Sequence, residues 1–129
     1  MEQDLSATRK RWRVAFLHRL PYGSSRHGGD QKVKAELEPL FVRHGVDLVF
    51  GGHDHVYEHT MPIQGVIYVV SGGGGRRLYR AGKSTWTAFS MSAHHAVLVR
   101  VDGRHLSLEA VEADGTVVDR MELYQSYAR

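Results

Sequence analysis

Bulky and β-branched apolar runs alternate with glycine-rich polar stretches along this chain, and the spacing inside each run predicts its element. Trp12 to His18 (WRVAFLH) reads as a mostly buried strand. The stretch that follows, RLPYGSSRHGG, is rich in proline, glycine and serine and reads as a loop. Asp30 then stands where a carboxylate can accept from the free amides of a first helical turn. Val33, Leu37, Leu40, Phe41 and His44 repeat at the spacing of one helical face. Pro39 predicts a kink or two short helices, the second beginning near Pro39, and Gly45 is placed to end the helix. Val46 to Phe50 (VDLVF) is a second short strand. Strand, helix and strand at this spacing predict a right-handed parallel crossover. Both strands lead, at their C-terminal ends, into histidine-bearing loops, and that edge is where open α/β sheets bind ligands.

The second half changes character. Val66 to Ser71, His95 to Val101, His105 to Val111 and Thr116 to Leu123 read as strands, separated by turn signals at Gly72–Gly75, Asp102-Gly103 and Asp114-Gly115. Asp-Gly between alternating segments marks a hairpin. The expected fold class is therefore α/β, a βαβ crossover followed by an antiparallel β-meander. One domain is expected over residues 12–123, after a flexible lead at 1–11 and before a short tail at 124–129, with no internal repeat.

Composition narrows the function classes. A chain of 129 residues with 42% hydrophobic and 24% charged residues is ordinary globular material, long enough for one modest core. The absence of cysteine excludes disulfide scaffolds, thiolate metal sites and cysteine nucleophiles. A net charge of +3 is too weak to argue for nucleic acid. The basic run Arg9, Lys10, Arg11 and Arg13 reads as a solvated lead-in to the first strand. No apolar stretch approaches the roughly 20 residues of a membrane helix, so no membrane partner is expected. The N-terminus shows no apolar leader core, and the compartment is left open. Two features stand out: nine histidines, and not one asparagine.

The sharpest motif is Gly51-Gly52-His53-Asp54-His55, directly after a buried strand. In an extended segment, residues i and i+2 project to one side, so two imidazoles can converge on a metal. Imidazole suits zinc, iron, copper and nickel, whereas magnesium prefers oxygen. His18 ends the neighbouring strand of the crossover, and three convergent histidines would suffice for one open metal site. Asp30, Asp54, Glu58 and His59 lie near enough in sequence to complete the coordination. Asp54 sits between the two ligands, should point the other way, and fits a supporting role. His27 is a candidate to meet a substrate oxyanion. Gly72–Gly75 followed by Arg76 and Arg77 reads either as an anion-binding nest or as a mobile hairpin with solvated arginines. His94 and His95 face opposite ways at a strand start, and core packing is the better reading for them. No Gly-x-Ser-x-Gly or P-loop pattern supports acyl transfer or nucleotide binding.

VAFLHRLPYGSSRHGGD, then KAELEPLFVRHGVDLVFGGHDHVYEH, then VIYVVSGGGG, and finally HHAVLVRVDGRHLSLEAVEADGTVVDRMEL resemble the C-terminal half of calcineurin-like metallophosphoesterases, in the purple-acid-phosphatase-like branch. The resemblance spans about residues 12–123. It implies half of a four-layer α/β sandwich and hydrolysis of small phosphate esters at a centre of zinc, iron or manganese. By resemblance, His18 and His53 would bind one metal and His55 the other. Independently of the resemblance, His27 or an arginine of Arg76-Arg77, with Arg76 the first choice, is the candidate to stabilise the developing charge. Leu20 stands where the family commonly has proline. The family's Asp-x-His, bridging Gly-Asp and Gly-Asn-His motifs do not occur upstream of His18, and without asparagine the chain lacks that ligand altogether. The expected function is a metal-dependent phosphoester hydrolase with a truncated site. The alternative is an inactive metal- or partner-binding remnant, or a fragment of a longer hydrolase. Half a sandwich would expose an apolar sheet face, which predicts a homodimer covering it.

Overall fold

The computed structural model describes residues 1–126, so part of the expected tail at 124–129 lies outside the described residues. The chain forms α1 (Glu2–Ala7), β1 (Val14–Phe16), α2 (Gln31–Arg43), β2 (Leu48–Gly51), β3 (Tyr57–Thr60), β4 (Ile67–Ser71), β5 (Thr87–Met91), β6 (His95–Asp102), β7 (His105–Glu112) and β8 (Val117–Tyr124). No helix among them is long and apolar enough to cross a membrane.

The crossover is present, with β1 and β2 parallel and Phe16 opposite Phe50. Between them, the Asp30 carboxylate accepts from the backbone of Lys32 and Val33 and starts α2. Gly45, at φ 58°, takes the left-handed conformation that follows the helix end. Of the two outcomes expected at Pro39, the two short helices do not form, and α2 runs through the proline. Proline removes the N–H that would bond the Ala35 carbonyl. Both Pro39 and Ala35 are exposed, so water can serve that carbonyl and the helix continues.

The expected meander is corrected at its first strand. β4 pairs parallel with β2, and two unforeseen strands, β3 and β5, complete a mixed sheet in the order β1-β2-β4-β3-β5. β3 was hidden because YEHT carries two charged or titratable residues that are nonetheless buried. The meander proper is the separate sheet β6-β7-β8, whose hairpins turn at the two Asp-Gly sites. Residues 2–7 form a short helix, and Leu5 packs against the core.

Side-chain alternation along β2 and β4 builds two apolar layers. Val49, Tyr68 and Val70 join Phe41 of α2 on one side, with Leu37 and Val42 against them. Leu48, Phe50, Ile67 and Val69 meet Leu106, Leu108 and Ala110 of β7 on the other. The five-stranded sheet is thus covered on one face by a helix and on the other by the second sheet. This overturns the reason given for a dimer, because the sheet face expected to lie bare is covered within the chain. What stays open is an edge. β1 ends one sheet and β6 the other, with Phe16 74% exposed and Leu98, Val99 and Val101 also exposed.

Phe41 has no exposed surface and anchors α2 to the sheet. Phe41→Ala is expected to lower unfolding free energy by about 3–5 kcal/mol in urea titration, with the urea dependence of that free energy unchanged.

Candidate metal centre

The β1–β2 ladder continues past both strand ends. The Leu17 N–H donates to the Phe50 carbonyl at 2.8 Å, and the Gly52 N–H to the His18 carbonyl at 3.1 Å. Those bonds hold His18 beside the Gly-Gly turn, and its Nε2 comes 3.1 Å from His53 Nδ1. Gly51 is needed here for space: a Cβ on it would fall 2.5 Å from Cγ of Leu20, which is buried over the turn.

The His-x-His segment is not extended. His53 has φ 63°, and the Asp54 and Val56 amides donate two residues back, to Gly52 and Asp54. This tight winding voids the same-side argument for residues i and i+2. His53 turns to His18 and His27, with ring centroids 5.0 and 4.4 Å apart. His55 instead stacks on Tyr79 at 4.2 Å and donates from Nδ1 to the Arg77 carbonyl at 2.8 Å. That bond protonates Nδ1 and leaves the Nε2 lone pair for a ligand, the arrangement usual for metal-binding histidines. His27 meets Tyr79 at 5.6 Å. The rings therefore form one row, His18–His53–His27–Tyr79–His55.

Asp54 serves His27, the ring beside His53 in the row. It is buried and accepts from the His27 N–H at 3.1 Å and from His27 Nδ1 at 2.6 Å. The other candidates for coordination are committed elsewhere. Asp30 caps α2 and pairs with Arg19 at 3.7 Å. His59 meets Asp119 at 3.0 Å. Glu58, only 1% exposed, accepts from the Ser24 N–H, the Ser24 hydroxyl and the Thr87 hydroxyl at 2.7–2.8 Å. It thereby ties the loop bearing His27 to β5.

Gly72–Gly75 forms no nest: none of the four has the positive φ that an alternating nest requires. Gly72 is a packing position, since a Cβ there would fall 2.0 Å from the Asp54 carbonyl oxygen. Arg76 is exposed, and among the described residues no ion pair draws it to the imidazole row. His94 Nδ1 donates to the Gly73 carbonyl, and buried His95 bonds Ser71 at 3.0 Å, so both rings are committed away from the row. The sequence missed Tyr79, the ring that joins His27 to His55. Its only signal was an aromatic set among arginines, in RRLYR.

The donors are imidazoles, which suit zinc or iron better than manganese, and His53 Nε2 is buried without a hydrogen-bond partner. Yet no group of three or more His, Asp or Glu among the described residues is arranged to hold a metal. Among the described residues, the site offers a nitrogen pair and a third preset imidazole, without an oxygen ligand grouped with them.

Two family descriptions match adjacent stretches that together take in most of the chain: "Calcineurin-like phosphoesterase" at residues 2–57 and "Iron/zinc purple acid phosphatase-like protein C" at residues 65–120. The chain belongs to the calcineurin-like metallophosphoesterases. Within that family it stands on the purple-acid-phosphatase-like branch and corresponds to a C-terminal part. Purple acid phosphatase 18 of Arabidopsis thaliana is 32% identical over 81% of this chain and 28% of its own length. The solved purple acid phosphatase PPD1 from yellow lupin (Lupinus luteus) seeds superposes with a TM-score of 0.84 at 26% identity, over 98% of this metallophosphoesterase chain and 28% of the lupin chain. GAP50, described as the anchor in the inner membrane complex of Plasmodium, shares the fold at a TM-score of 0.89 and 20% identity, over 97% of this chain and 41% of its own. The chain thus spans about a quarter of the length of the curated relatives it matches first.

Burial holds the His53 imidazole below the ordinary histidine pKa, helped by the nearby charges of Arg19, His27 and His18. The folded state then binds fewer protons than the unfolded chain, so stability falls as pH drops through about 6.5. His53→Gln is expected to flatten that acid-side decline in thermal melts taken from pH 7.5 to 5.5.

Proposed function

We propose that this chain carries the imidazole side of a metal-dependent phosphoester hydrolase centre. The observation that carries the reading is the 3.1 Å approach of His18 Nε2 to His53 Nδ1 at the C-terminal edge of parallel strands. The family placement and relatives named as phosphatases support it. His18 and His53 would hold one zinc, iron or manganese ion and His55, through Nε2, a second. Such ions supply polarisation of the phosphoryl oxygen and acidification of a water. His27, oriented at Nδ1 by Asp54, presents Nε2 to an oxygen of a small phosphate ester. Arg76 would meet the developing negative charge from the exposed end of the glycine run.

A second reading, a metal-binding remnant without turnover, is favoured by one fact: Asp30, Asp54 and Glu58 are each committed to structural partners. One experiment separates the two. Chelator-stripped protein is titrated with Zn²⁺ or Mn²⁺ by calorimetry and assayed with p-nitrophenyl phosphate, as wild type and His53→Ala. Metal-dependent hydrolysis that His53→Ala reduces beyond the roughly 10–100-fold typical of an outer-sphere loss supports the hydrolase. Metal binding without hydrolysis supports the remnant, and equal hydrolysis by stripped and loaded protein overturns the first reading.

We also propose that the chain self-associates through the open edge where exposed Phe16 of β1 lies with Val99 of β6. Light scattering at micromolar concentration should report a dimer, and Phe16→Asp should return it to monomer.

A further inference from the structure

Beside the imidazole row lies a cationic cleft that no step of the proposed hydrolysis uses. Arg26, Arg77, Leu78, Tyr79 and Arg80 line it. All three arginines are exposed, and no carboxylate among the described residues lies within ion-pair distance of any of them. Three cations held together without a counter-charge repel one another, and an incoming polyanion relieves that repulsion.

The cleft is built onto the site. Arg26 directly precedes His27 in the chain, and its guanidinium sits 5.3 Å over the Tyr79 ring. The Arg77 carbonyl is the acceptor for His55 Nδ1. The Tyr79 N–H donates to the His55 carbonyl at 3.0 Å, and the Ser92 and Ser25 hydroxyls donate to the carbonyls of Tyr79 and Arg80 at 2.7 and 2.9 Å. The backbone that presents the arginines is therefore pinned at fixed distance from the rings. His55 stacks on Tyr79 and the Arg26 guanidinium also lies over the ring, which ties the cleft to the imidazole row.

We propose that this arginine cleft binds the phosphate groups of a substrate that lie beyond the reacting one, so that the preferred substrate is a short polyphosphate chain carrying several charges. The inference rests on the hydrolase reading for its reaction, but not for its binding. With one phosphate at the imidazole row, the rest of the chain crosses Tyr79 and reaches Arg77 and Arg80, whose forked guanidinium groups suit phosphate oxygens.

The test is calorimetry on chelator-treated protein with inorganic tripolyphosphate and with orthophosphate, which needs neither metal nor turnover. Wild type should bind tripolyphosphate at least about tenfold more tightly than orthophosphate, with affinity falling steeply as salt rises. Arg77→Gln combined with Arg80→Gln should weaken tripolyphosphate binding about tenfold or more. Arg9→Gln combined with Arg11→Gln, in the other basic cluster of the chain, should leave it unchanged. Equal affinity for the two anions, wild-type binding by the Arg77/Arg80 variant, or loss in the Arg9/Arg11 variant overturns the proposal. Absent hydrolysis of p-nitrophenyl phosphate with tripolyphosphate binding intact overturns only the hydrolase reading.

Discussion

The whole arrangement depends on the parallel pairing of β1 with β2 and its extension by two further backbone bonds, Leu17 to Phe50 and Gly52 to His18. A parallel ladder brings the C-terminal ends of both strands to one edge, and the loops leaving that edge inherit the alignment. His18 and His53 are far apart in sequence, yet their ring nitrogens meet because one carbonyl–amide bond clamps the turn between them. α2 serves this pairing from behind. It spans the crossover, and Phe41 presses on the sheet face just below the site.

How much of this was legible in the sequence depends on range. The crossover could be read because WRVAFLH, the Asp30-capped helix and VDLVF each carry a local signature, and a parallel strand–helix–strand unit follows from their order and spacing. The pairing of His18 with the His-x-His segment followed from that topology alone. β3 and the parallel placement of β4 could not be read. Both depend on partners distant in sequence, and Glu58 is buried in β3 only because Ser24 and Thr87 arrive to satisfy its oxygens. The conformation of His53 was equally hidden. A left-handed backbone at a non-glycine residue is set by its surroundings, and it decides that His53 and His55 part company.

Nitrogen and oxygen donors have separated in this chain. The imidazoles stand at the sheet edge with lone pairs available, while each nearby carboxylate is absorbed in holding the scaffold. Asp54 orients His27, Glu58 secures the loop that bears it, and Asp30 starts the helix between the strands.

The crowding at Gly72 makes the first residue of this glycine run something other than a hinge. Its first member lies flush against the main chain at Asp54, which in turn grips the imidazole of His27. A side chain of any size at position 72 would act as a wedge, and the displacement would be felt two links away, at a ring it never touches.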